Sequence, residues 1–211
     1  MITIKEQNEL FTLIAKQLNQ NISCIAFGGT AMMFYGYKQA TKDIDLVFSS
    51  IKERKVFIKA IEKLGYKEDT RLLNIYSKSK RADTTAPVMY KLKDERFDLF
   101  AEVIFKFRIS PFVLKRITQI QDFQETHLLS LQIISPEDLV LLKCLTDREN
   151  DFEDILTILH KTENFNWKFV MTEALQQKEG WILLDVEKTL QRLKKYIEIP
   201  QIYFDMLYGK A

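Results

Sequence analysis

The chain has 211 residues, 46% of them hydrophobic and 28% charged, with a formal net charge of +2. That composition excludes a disordered or fibrous chain, and so small a charge gives no argument for nucleic-acid binding by itself. Cys24 and Cys144 are lone cysteines in apolar surroundings and His127 and His160 are isolated, so no disulfide framework, zinc site or histidine-based nucleophile system is expected.

Lys5, Glu6, Glu9 and Lys16 break up the first twenty residues, which is unlike a signal peptide. No apolar run approaches the roughly 20 residues that span a bilayer, so a cytoplasmic protein without a membrane partner is expected. Residues 5–19 space Leu10, Phe11, Ile14 and Leu18 as one face of a helix. Residues 22–27 read as a short buried strand that runs into Gly28-Gly29 and a short helix over 30–35. Residues 43–48 read as a second strand, and 52–65 as an amphipathic helix stopped by Gly65. Strands are expected over 72–77, 87–93 and 96–105, the last two forming a hairpin about a polar turn.

The texture then becomes helical. A helical stretch starts at Ser110-Pro111, a strand covers 127–134, and Ser135 caps a helix with Pro136 at its first position and acids in its first turn. Four more helices are expected near 151–162, 166–178, 185–195 and 200–208. The expected plan is an α/β lobe over 1–106 and a mainly helical lobe over 107–211.

The chemistry sits in "GGTAMMFYGYKQATKDIDLVF", residues 28–48. Residues two apart in a strand share a face, so Asp43 and Asp45 point the same way while Ile44 and Leu46 enter the core. Two adjacent carboxylates repel unless positive charge lies between them. A divalent cation answers that need: Mg²⁺, with Mn²⁺ as the alternative, takes a few carboxylate oxygens and completes its shell with water and substrate phosphates. Asp98, in "RFDLF", is the candidate for a third acid. Gly28 and Gly29 allow a sharp turn and close backbone approach, the following helix end suits a phosphate, and the Thr30 hydroxyl adds a donor. Alone, a Gly-Gly is commonly a turn and an Asp-x-Asp a solvated strand edge. Their order and spacing together carry the argument.

This stretch resembles the signature of the DNA polymerase beta-like nucleotidyltransferase superfamily. Within it the chain is similar to small prokaryotic nucleotidyltransferases that include abortive-infection and toxin–antitoxin members. "SPEDLVLLKCLTDRENDFEDI", residues 135–155, resembles their helical-lobe motif. The resemblance covers residues 22–48 and 96–159. It implies an α/β (α+β) fold with a short mixed sheet and a helical C-terminal lobe. It also implies Asp43 and Asp45 as metal ligands and Asp98 as third carboxylate and base. Lys143 would reach the nucleotide phosphates, and Arg148, Asp151 and Asp154 would line the far side of the cleft.

Taken from the residues themselves, Lys143 interrupts an apolar run and needs somewhere to put its charge, either in that cleft or in solvent along the helix. Asp151 and Asp154 share a helix face, equally suited to surface ion pairs with Arg148 and Lys161. Lys78, Lys80 and Arg81 form a basic loop that could contact the phosphates of an RNA substrate.

The expected function is Mg²⁺-dependent transfer of a nucleoside monophosphate from an NTP to a hydroxyl, with release of pyrophosphate. The acceptor is a tRNA 3′ end, a protein side chain or a small molecule such as an aminoglycoside. The alternative is a catalytically silent nucleotide-binding regulator or a toxin–antitoxin partner.

Overall fold

The computed structural model describes residues 1–69, 87–105, 107–146, 148–177 and 179–209. The strand expected over 72–77, and Lys78, Lys80 and Arg81, lie outside the described residues. The chain divides into two compact units, Met1–Ile109 with Ile117–Ile134, and Ser110–Arg116 with Ser135–Ala211.

In chain order the first unit contains β1 (Ile2–Thr3), α1 (Ile4–Gln17), β2 (Ile22–Ala26), α2 (Gly28–Phe34), β3 (Ala40–Thr41), β4 (Asp43–Phe48) and α3 (Ile51–Lys63). There follow β5 (Lys67–Glu68), β6 (Val88–Leu92), β7 (Glu95–Ala101), β8 (Val103–Ile104) and β9 (Phe107–Arg108). The second unit then takes α4 (Pro111–Arg116), after which the chain returns to the first for β10 (Gln119–Gln124) and β11 (Leu128–Ile133). The second unit holds α5 (Pro136–Cys144), α6 (Glu149–Lys161), α7 (Trp167–Gln176), α8 (Gly180–Leu193) and α9 (Gln201–Leu207). The fold is mixed α/β.

The main sheet runs β10-β11-β2-β4-β7-β6-β5 and is mixed: β11 and β2 are parallel, β2 and β4 antiparallel, β4 and β7 parallel. The 87–105 segment makes the expected hairpin, with Leu92 opposite Glu95 across Lys93-Asp94. Lys93 takes φ +53, the left-handed geometry that two-residue hairpin loops require.

The break expected between 106 and 107 differs from the observed division, because residues 117–134 belong to the first unit. β10, "QIQDFQ", was not expected as a strand. Its polar residues and half-exposed Ile120 suit the edge of a sheet, and its place comes from backbone pairing with β11, from Gln119 opposite Ile133 to Gln124 opposite Leu128. Backbone hydrogen bonding is not visible in side-chain composition.

Local chemistry sets the element ends. α1 opens with a capping box: Glu6 N–H donates to Thr3 Oγ1 at 3.4 Å and Thr3 N–H to Glu6 Oε2 at 2.8 Å. α3 is capped by Ser50, which accepts from Glu53 N–H, and the chain leaves it through Gly65 at φ +94. One face of the sheet is apolar. Ile44, Leu46, Phe97 and Leu99 are buried there, and Phe57 of α3 meets Phe48 and Phe97 at 5.2 and 5.5 Å between ring centroids. No helix among the described residues is long and apolar enough to cross a membrane.

Candidate active site

The opposite face of β4 and β7 carries the charged residues. The parallel register sets Asp43 beside Arg96 and Asp45 beside Asp98. With period two along each strand, these four side chains share one face, and their neighbours Ile44 and Phe97 lie on the apolar side. Asp98 is therefore paired with the Asp-x-Asp by sheet register rather than exposed on a strand of its own.

The glycine turn abuts this patch. Gly28 has φ +55, and a Cβ there would lie 2.2 Å from Asp45 Oδ2. A Cβ on Gly29 would lie 2.2 Å from Thr41 Oγ1. A side chain at either position would have to displace Asp45 or Thr41, and at Gly28 the left-handed backbone opposes it as well. Gly29 N–H donates to Asp45 Oδ2 at 3.2 Å, and Asp45 N–H donates to Thr30 Oγ1 at 2.9 Å. Thr30 is fully buried. Its hydroxyl, expected on a phosphate, here fixes the backbone of Asp45. The turn and α2 hold one carboxylate by its side chain and by its main chain.

A family model described as "Nucleotidyltransferase of unknown function (DUF6036)" matches residues 3–201. The chain belongs to this nucleotidyltransferase family. No curated protein matches it.

Sequence reasoning missed one residue of this charged face, Arg96. Its Nη2 lies 2.6 Å from Asp43 Oδ2, and its Nε and Nη2 donate to Asp98 Oδ1 and Oδ2 at 2.9 and 3.0 Å. Burial works against the Arg96 charge, but Asp98 and Asp43 outweigh it, with Asp45 adding, so its pKa stands above the ordinary arginine value. The signal was available: Arg96-x-Asp98 obeys the same period-two rule as Asp43-x-Asp45. Beside Asp43 and Arg96 opens a cavity of about 400 Å³, also lined by Lys42, Asp69, Lys91 and Asp94.

Asp43, Asp45 and Asp98 offer oxygen donors only, the chemistry that Mg²⁺ or Mn²⁺ takes. A guanidinium already occupies the space between two of them, so this donor set fits a cation. As the side chains stand, no three His, Cys, Asp or Glu among the described residues are gathered as a metal-holding group.

The second unit of the nucleotidyltransferase places the other expected residues together. Lys143 lies on α5 with its side chain 7% exposed, which removes the option of reaching solvent. Its Nζ meets Asp151 Oδ1 at 2.8 Å and Asp154 Oδ2 at 2.6 Å. Asp151 Oδ2 accepts further from Thr146 Oγ1 and Arg148 Nε, each at 2.5 Å. Burial pushes the Asp151 carboxyl up. Lys143, Thr146 and Arg148 together pull it down further than that, and it ends below the ordinary carboxylate value.

A further cluster in the same unit centres on Arg116 of α4. It donates to Asp138 Oδ2 from Nε at 2.8 Å and to Glu173 Oε2 from Nη2 at 2.8 Å. Ser135 Oγ and Ser110 Oγ donate to the same two acids. Asp138, the last residue of Ser-Pro-Glu-Asp, is fully buried. Its part is to join α4, α5 and α7, which the sequence did not reveal.

Proposed function

We propose that this nucleotidyltransferase moves a nucleoside monophosphate from an NTP to a hydroxyl acceptor, with a divalent cation, Mg²⁺ or Mn²⁺, held by Asp43, Asp45 and Asp98. The observation that carries the reading is the registered placement of three carboxylates on β4 and β7 against a glycine turn packed directly on Asp45. A bound cation would supply charge neutralisation for the triphosphate and for the leaving pyrophosphate.

Asp45 is held in place by Gly29 N–H and Thr30, so one ligand is preorganised before any substrate arrives. Asp98 serves as proton acceptor for the attacking hydroxyl. The new bond joins that oxygen to the α-phosphorus, the bond to the bridging oxygen breaks, and pyrophosphate leaves. The Gly28-Gly29 turn lets the nucleotide phosphates approach the backbone. Lys143, Arg148, Asp151 and Asp154 belong to the nucleotide-binding part of this proposal by family resemblance. So do the acceptor classes (a tRNA 3′ end, a protein or a small molecule) and a cognate toxin–antitoxin partner.

A second reading, a silent nucleotide-binding regulator, draws on Arg96. With its guanidinium permanently between Asp43 and Asp98 the site takes no cation and does not turn over. Incubation with each α-labelled NTP, Mg²⁺ or Mn²⁺, and cell RNA or lysate separates the two. The enzyme moves label into RNA, protein or a small molecule and releases pyrophosphate, and Asp45→Asn does neither. Binding of NTP without transfer to any acceptor class would favour the regulator.

A further inference from the structure

We propose that Arg96 is a displaceable counter-ion: it holds the place of the divalent cation between Asp43 and Asp98 and leaves both carboxylates when the cation binds. The inference rests on the metal reading above.

The contacts leave little room for another arrangement. Arg96 uses both oxygens of Asp98 and one of Asp43. These are the oxygens that a cation needs as ligands, and Asp98 needs one of its own to receive a proton. A guanidinium and a divalent cation compete for the same negative charge, so Arg96 and the cation exclude one another there.

Arg96 also has a way out. Its side chain and that of Asp43 are each 30% exposed, and Asp98 13%. The cavity of about 400 Å³ opens directly beside it, its wall carrying Asp69 and Asp94 as well as Lys42 and Lys91. The guanidinium moves from a half-exposed position into an open polar cavity, so desolvation opposes the exchange only weakly. Arg116 shows the contrast. It too lies between two acids, Asp138 and Glu173, but both of those side chains are wholly buried, and additional serine hydroxyls fix them. Arg116 is a tie between helices, whereas Arg96 sits at an open edge.

Competition makes a signed prediction. Apparent cation affinity is reduced by the fraction of molecules in which the site is free, so removing the guanidinium tightens binding. A purely structural arginine does the reverse, because its loss leaves the aspartates less well positioned.

The test measures Mn²⁺ binding to the whole chain by electron paramagnetic resonance and calorimetry, in wild type and in Arg96→Gln. The expected result is binding roughly tenfold tighter in Arg96→Gln, the factor that applies when about nine in ten molecules hold the latch closed. If Arg96→Gln does not fold, the wild type still decides. Saturating diamagnetic Mg²⁺ should shift the Arg96 Nε–Hε resonance and speed its exchange with solvent. Equal or weaker Mn²⁺ binding in a folded Arg96→Gln overturns the inference and leaves the metal reading standing, and so does an Arg96 resonance unmoved by bound Mg²⁺. Absence of Mn²⁺ binding in both proteins overturns the inference and the metal reading together.

Discussion

Lys143 and Arg96 are each held by a pair of aspartates, and they differ in exposure. Lys143 meets Asp151 and Asp154, with Arg148 also on Asp151. Arg96 faces Asp43 and Asp98, with Asp45 registered alongside. Lys143, Asp151 and Asp154 are shut away, with Arg148 exposed at their edge. The Arg96 cluster is partly open and borders a cavity. A buried cluster holds helices together, while a more accessible one can exchange its counter-charge. Mutation of the first should cost stability besides the nucleotide contact proposed for it, and mutation of the second should cost chemistry.

The largest effect tests the closed cluster. Lys143→Met leaves Asp151 and Asp154 buried without their shared ammonium, and loss of one partner from a buried pair costs about 3–5 kcal/mol. Urea unfolding should show that fall. A midpoint close to wild type would mean that the cluster is not the tie described here.

Asp45→Asn addresses the open cluster. Transfer should fall by roughly 10²–10³-fold, about 3–4 kcal/mol of lost transition-state stabilisation, with a melting temperature equal to or above wild type because carboxylate repulsion is relieved. Pyrophosphate release and a thermal melt give both numbers. Near-normal turnover would remove Asp45 from the site.

Gly28→Ala should reach both properties at once. The left-handed backbone costs a non-glycine residue roughly 1–2 kcal/mol, and the added methyl pushes directly on Asp45 Oδ2. Stability should drop by that amount while transfer is lost. Intact transfer in a merely destabilised protein would make the turn a structural feature alone.

Arg148→Ala sharpens the contrast inside the Lys143 cluster. The Arg148 side chain is 73% exposed, so solvent screens its pairing with Asp151, and the cost should be about 0.5 kcal/mol or less. A loss comparable to that of Lys143→Met would show Arg148 to be a full member of the tie.

The finest effect is a pH dependence. Burial raises the folded Asp151 carboxyl, but Lys143, Thr146 and Arg148 together hold it below its ordinary value. A depressed acid contributes stability that is complete above its unfolded pKa and disappears as pH falls through the folded one. Asp151→Asn should therefore flatten the loss of stability below about pH 4. An acid limb of unchanged steepness, followed by urea midpoints, would assign that loss to other carboxylates.

Much of the fold follows from the sequence alone. The strand over 43–48, the helices after Ser50 and Ser135 and the hairpin near 93 come from alternation, capping and turn chemistry, all of which act within a few residues. The pairing of Asp43 with Asp45 on one face follows from the two-residue period of a strand. The glycine turn is equally legible as a turn. That its missing side chains make room for Asp45 and Thr41 depends on residues more than ten positions away. Sheet register brought Asp98 beside Asp45 and Arg96 beside Asp43. Backbone pairing, with Phe123 packed against Phe11, returned β10 and β11 to the first unit. Folding in three dimensions also turned Lys143 inward to two acids and made Asp138 the buried partner of Arg116. Local hydrogen bonds and hydrophobic period are written into neighbouring residues. Which distant charges meet, and how exposed they are, is decided only when strands register and helices pack.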